Sequence, residues 1–151
     1  MFIAGMLAGC SPSDYGGNVG VGQSRLAAEA QSHRRVELTA VCYSDCTTQL
    51  GDPDTCTAEK ADFGFHAVTY TRPWFVQPGD TFGGKPGNVG ELLPAGAIAP
   101  DVDQEIILGD IARQHPDLVA WLRRKGAMTR TALTRQTGKQ MHDRWGLPYC
   151  N

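Results

Sequence analysis

From Val36 to Cys42 the apolar residues Val36, Leu38, Ala40 and Cys42 alternate with Glu37, Thr39 and Val41, the two-residue period of a strand. The same period returns from Asp62 to Tyr70, with Phe63, Phe65 and Ala67 on one side and Gly64, His66 and Val68 on the other. Elsewhere the apolar spacing is helical. Leu26, Ala27 and Ala30 mark a helix over residues 23–32, and Ile106, Ile107, Leu108 and Ile111 mark another over 102–114. Pro116 opens a helix with Leu118, Val119, Trp121 and Leu122 as its buried stripe, and Gly126 ends it. Thr129 is placed to cap a last helix running through Thr137 to Gly138. A short helix is expected over Cys46–Leu50, stopped by Gly51-Asp52-Pro53-Asp54. The order helix, strand, strand, loop, helices predicts an α/β fold with a helical C-terminal part.

Residues 71–101 interrupt both periods. Five prolines (Pro73, Pro78, Pro86, Pro94, Pro100) and six glycines exclude a long regular element, and loops of this length in small domains are usually functional or disordered. At 151 residues and 41% hydrophobic content, the chain suits one globular domain over 11–151 with this loop inside it. A formal charge of −2 removes the electrostatic case for nucleic acid, which needs clustered cations. The one dense run, Arg123-Arg124-Lys125, reads as the cationic last turn of a helix.

The cysteines change the picture. Leu7-Ala8-Gly9-Cys10 fits a bacterial lipobox, making residues 1–10 a lipoprotein signal segment and Cys10 a lipid anchor, the only membrane attachment expected. Cys42, Cys46, Cys56 and Cys150 form an even set suited to disulfides in an oxidising compartment, the periplasm or cell envelope. Cys46 with Cys56, across a short turn-rich segment, and Cys42 with Cys150 is the pairing expected.

Three segments carry candidate chemistry. Gly16-Gly17 lies before a helix, where backbone N–H groups can converge on negative charge. Ser44, in Cys42-Tyr43-Ser44-Asp45-Cys46, sits where a strand gives way to a helix, a turn that exposes the hydroxyl and directs the next residue's N–H at an oxyanion. His66, in Gly64-Phe65-His66, lies on the following strand as a base for that hydroxyl.

In this order the segments resemble the Clp/crotonase superfamily, and most closely exported Clp-protease-like proteins of bacteria. Ser13-Asp14-Tyr15-Gly16-Gly17 is similar to the family's Ser-x-Gly-Gly turn, with one residue more between serine and glycines. Cys42-Tyr43-Ser44-Asp45-Cys46-Thr47 is similar to a Cys-Ala-Ser-Ala-Cys-Thr form, and Gly64-Phe65-His66 to its Gly-Phe-His. The tail is loosely similar too, in Trp121, Gly126-Ala127-Met128-Thr129 and Pro148-Tyr149-Cys150. The resemblance implies a βαβ core, with Ser44 as nucleophile, His66 as general base, and the N–H groups of Gly17 and Asp45 as oxyanion hole. It implies a serine hydrolase or peptidase acting on a peptide or ester, without metal or cofactor, and leaves a homo-oligomer open. Only residues 1–15 stand where the family's first strands would precede the turn, so the core is expected to be trimmed there. No motif identifies the acid of a triad: Asp143, Asp110 and Asp117 are all candidates.

Three alternatives stand beside this. Cys42, Cys46, Cys56 and His66 could ligate zinc, although they lack a Cys-x-x-Cys knuckle. A Clp-like envelope protein could serve as a non-catalytic binding scaffold. Acyl-CoA chemistry of the crotonase kind is disfavoured by the Ser-His pair and by export.

Overall fold

The computed structural model describes residues 35–151. The lipobox at Cys10, the Gly16-Gly17 turn and the helix expected over 23–32 lie outside the described residues. Among those described, no helix is long and apolar enough to cross a membrane.

The first expected strand is two strands. β1 (Val36–Leu38) and β2 (Val41–Tyr43) are separated by Thr39 and Ala40, where the chain steps from one sheet to another. Carbonyls fix the step: Leu38 O accepts from Ala58 N and from the Thr57 hydroxyl, while Ala40 O accepts from Asp62 N. β1 pairs in parallel with β3 (Thr55–Thr57), and β2 in parallel with β4 (Asp62–Phe65). β4 in turn takes an antiparallel neighbour, β9 (Thr134–Thr137), to make a three-stranded sheet ordered β2-β4-β9. Between β2 and β3 runs a 3-10 helix, Ser44–Gly51, longer than the helix expected over Cys46–Leu50.

The helices mostly follow the apolar spacing. α1 spans Asp101–Ala112, and α2 spans Pro116–Lys125 with Pro116 in its first turn. Gly126 ends α2 with φ 63°, the left-handed conformation that glycine adopts without a Cβ clash. The last helix departs from expectation. Residues 129–137 are not helical; they contain the end of a short 3-10 turn (Ala127–Thr129) and then β9. Thr137 starts α3 (Gly138–Trp145) instead of finishing a helix, its hydroxyl accepting from Gln140 N while the Gln140 side chain caps Thr137 N. Gly138 is required there because a Cβ would stand 1.8 Å from the Ala58 carbonyl oxygen.

The 71–101 segment carries only short pairings, β5 (Trp74–Phe75) with β8 (Leu92–Leu93) and β6 (Thr81–Phe82) with β7 (Lys85–Pro86). Asp101, in the first turn of α1, ties the β6–β7 hairpin down. Its carboxylate accepts from the Thr81 hydroxyl (2.8 Å), Gly83 N (2.8 Å) and Gly84 N (2.9 Å).

One core lies between the sheets and α1–α3, built on Phe63 and Phe65 with Leu38, Leu50, Ile111, Leu118, Leu122, Met141 and Leu147. α1 packs hard on the Ser44–Gly51 helix, where a Cβ on Gly51 would lie 2.3 Å from Asp110 O. Mixed α/β architecture is therefore established. The cysteines pair differently from expectation: Cys42 with Cys46, and Cys56 with Cys150. Four residues of strand end and helix suffice to bring Cys42 and Cys46 to a Cα separation of 5.2 Å. The tail reaches Cys56 because residues 148–150 run beside β3, with Thr57 N donating to Pro148 O and Cys150 N to Thr57 O. Both bridges suit an oxidising compartment.

Candidate active site

Ser44 is the first residue beyond the C-terminal end of β2, and His66 the first beyond the C-terminal end of β4. Because the two strands are parallel neighbours with Tyr43 opposite Gly64, both residues leave the sheet at one edge. In α/β folds the carboxyl ends of parallel strands are where ligands collect.

Ser44 has φ 55°, the single non-glycine residue with positive φ among the described residues. For an L-residue this left-handed conformation costs about 1–2 kcal/mol. Several contacts hold it. The Cys42–Cys46 bridge closes around Ser44 from both sides. The Thr47 hydroxyl donates to Ser44 O at 2.5 Å, and Thr48 does the same to Asp45 O at 2.7 Å. Asp45, whose N–H the sequence reading assigns to an oxyanion hole, is the second residue of the helix and is buried. Its counterpart Gly17 lies outside the described residues.

Tyr43, the residue before Ser44, is itself anchored. Its ring lies across Gly64, so closely that a Cβ there would meet Tyr43 Cδ1 at 2.5 Å and Leu133 Cδ2 at 2.8 Å. Reaching over the glycine, the Tyr43 hydroxyl donates to Asp62 Oδ2 at 2.5 Å and accepts from Arg135 Nη2 at 2.7 Å. Arg135 also pairs with the Asp62 carboxylate, and its guanidinium lies over the Tyr43 ring. The Arg135 hydrogen bond holds the Asp62 carboxyl below its ordinary range, and donation to Asp62 with partial burial pushes the Tyr43 phenol up. Gly64 was legible as part of a motif. The grouping of Tyr43 with Asp62 and Arg135 was not, since it depends on three strands meeting.

His66 is half-buried, and its Nδ1 lies 2.7 Å from the carbonyl oxygen of Ala67. The chain after it is pinned. Ala67 N donates to Arg130 O (2.9 Å), and Val68 N donates to Oε1 of the buried Gln104 (2.7 Å). Gln104 Nε2 completes the clamp on Val68 O (3.1 Å) and Ala99 O (3.0 Å). Gln104 also lines a cavity of about 280 Å³ with Phe82, Ile98, Ala99, Met128 and Thr129; neither Ser44 nor His66 lines it.

Among the described residues no hydrogen bond joins Ser44 to His66, and no hydrogen bond or ion pair joins any of the three candidate acids to His66. Asp143 is held by Lys139 at 2.6 Å, Asp110 is buried with Arg113 at 3.7 Å, and Asp117 is exposed in the first turn of α2. The zinc alternative loses its ligands, because Cys42, Cys46 and Cys56 are all in disulfides.

No family model, curated protein or solved structure matches this chain. What the site can do is read from its own residues.

Proposed function

We propose that the protein is a serine hydrolase of the bacterial cell envelope, cleaving a peptide or ester by acyl transfer through Ser44 and His66. The observation that carries this reading is the left-handed backbone of Ser44 at a strand-to-helix junction. Strained non-glycine residues concentrate at functional sites, and a serine on such an elbow presents its hydroxyl at the sheet edge. In the reaction, His66 Nε2 takes the Ser44 proton as Oγ bonds to the substrate carbonyl carbon and the C=O electrons move onto oxygen. The N–H of Asp45, with that of Gly17, is assigned to the oxyanion. Collapse breaks the bond to the leaving group, which receives the proton from Nε2, and water releases the acyl group by the same steps. The resemblance to Clp-protease-like proteins, with a Clp/crotonase core, belongs to this proposal, as do the lipid anchor at Cys10 and the periplasmic location. The two disulfides support the latter.

A second reading, a Clp-like scaffold without turnover, draws on the absent Ser44–His66 hydrogen bond, although such contacts often tighten only with substrate bound. A fluorophosphonate probe separates them. The hydrolase labels at Ser44, and Ser44→Ala abolishes labelling. Well-folded protein that takes up no probe sinks the enzyme reading.

A further inference from the structure

We propose that His66 is oriented by the main-chain carbonyl of Ala67 in place of a carboxylate, so that the site works as a Ser-His dyad, with Gln104 the side chain that holds this carbonyl in position. The inference rests on the hydrolase reading for its catalytic meaning, but its structural content stands apart from it.

A histidine acting as base must carry its proton on the nitrogen that faces away from the nucleophile, and the partner of that nitrogen decides the tautomer. Here Nδ1 lies 2.7 Å from Ala67 O. A carbonyl oxygen can only accept, so the contact requires Nδ1–H and leaves Nε2 with its lone pair free for the Ser44 proton. In a triad this task falls to an aspartate, and among the described residues no hydrogen bond or ion pair joins Asp110, Asp117 or Asp143 to His66.

The carbonyl is not free to swing. Ala67 C=O and Val68 N–H belong to one planar trans peptide unit, so they point in opposite directions. Val68 N–H donates to Gln104 Oε1 at 2.7 Å, and Gln104, only 5% exposed, is fixed by its two donations to Val68 O and Ala99 O. Fixing the N–H fixes the C=O on the far side of the plane. Ala67 N, bonded to Arg130 O at 2.9 Å, pins the preceding unit. Gln104 thus acts on His66 through a peptide plane, without touching it. A main-chain dipole stabilises the imidazolium formed during turnover less than a full negative charge would, which suits a hydrolase slower than a triad enzyme.

The experiment is ¹⁵N NMR of the four histidines in the full, oxidised chain, with His66 assigned by loss of its signals in His66→Gln. In the neutral ring, Nδ1 is expected to show the protonated shift and Nε2 the unprotonated one; the reverse tautomer overturns the proposal. Gln104→Met is expected to mix the tautomers and slow fluorophosphonate labelling about tenfold, as misplacing a support group does. If that variant does not fold, the wild-type tautomer still decides. As a second arm, the acids outside the described residues (Asp14→Asn, Glu29→Gln) and the three candidates (Asp110→Asn, Asp117→Asn, Asp143→Asn) are labelled in turn. Each is expected to stay within threefold of wild type, whereas a loss near 10⁴-fold in a folded variant would identify a true triad acid and overturn the dyad. Labelling with the wrong tautomer leaves the hydrolase standing without this device. The expected tautomer without labelling leaves the device standing without the hydrolase.

Discussion

Cys42 and Cys46 are joined across Ser44, so a closed ring of five residues contains the one strained serine of the described structure. This ring and the Cys56–Cys150 bridge, 94 residues apart, should respond differently to removal. Chain entropy assigns about 2 kcal/mol to the small ring and about 4–5 kcal/mol to the large one. Replacing Cys56 and Cys150 by Ala should therefore cost more in urea unfolding than replacing Cys42 and Cys46. Labelling at Ser44 should show the opposite order. If losing the Cys42–Cys46 bridge leaves the labelling rate unchanged, the bridge does not position the serine.

Ser44→Gly and Ser44→Ala both remove the hydroxyl, but only glycine relaxes at φ 55°. The glycine variant is expected to be more stable than the alanine variant by about 1 kcal/mol. Equal midpoints in a denaturant titration would mean that Ser44 stores no strain in solution.

Gly64 and Gly138 both lack room for a Cβ, against different neighbours. At Gly64 the obstacles are the side chains of Tyr43 and Leu133, which can yield; at Gly138 it is the main-chain oxygen of Ala58. Gly64→Ala should cost about 1–3 kcal/mol, and Gly138→Ala should lie at or beyond the top of that range. Because Tyr43 precedes Ser44, Gly64→Ala should also slow labelling while Gly138→Ala leaves the folded fraction reactive. The comparison is made by thermal unfolding and probe kinetics side by side.

Groups with depressed folded values set the acid limb of stability: His115 near neutrality, then the carboxylates Asp101, Asp62 and Glu105. Burial holds His115 below its ordinary value, opposed by its contact with Trp145 O. Its contribution is complete above the unfolded histidine value of about 6.5 and is lost as pH falls through the lower folded value. Asp101 is depressed by the Gly84 N–H first, then by the Thr81 hydroxyl and the Gly83 N–H. Its contribution is complete above about pH 3.9 and is lost below that. Melting temperature should hold level between about pH 7 and 9 and fall in two stages on acidification. His115→Gln should remove the first stage, and Asp101→Asn should shrink the second, leaving the part that Asp62 and Glu105 contribute. A first stage that survives in His115→Gln belongs to another group.

Much of the architecture could be read from local pattern. Pro116 and Gly126 bracket α2 because first-turn proline and left-handed glycine act within a few residues. What failed depended on distant partners. Val36–Cys42 alternates without a break, yet Ala40 marks a change of sheet, because β1 and β2 answer to different partners, β3 and β4. Thr129–Thr137 offered a plausible cap, but Thr134–Thr137 is needed as a strand beside β4, and the true signal was Thr137 with Gln140 three residues on. At the site, Ser44 at a strand end was legible, but His66 was expected inside a strand running to Tyr70 and instead lies just past β4, which ends at Phe65. The hold on His66 was not legible. It comes from a main-chain oxygen and from Gln104, 38 residues away, and neither has a motif. The cysteine pairing likewise turned on the course of the tail along β3.

The course of the tail also sets an order of events during biosynthesis. Cys42 and Cys46 can be oxidised as soon as that short stretch has crossed into an oxidising compartment. Cys56 must then stay reduced until another 94 residues have been made and delivered. Throughout that interval its nearest sulfur neighbour along the chain is Cys46, ten residues back. Early closure of the small ring withdraws that competitor. A cell lacking a disulfide-exchange catalyst should therefore accumulate the Cys46–Cys56 isomer chiefly when Cys42 is absent.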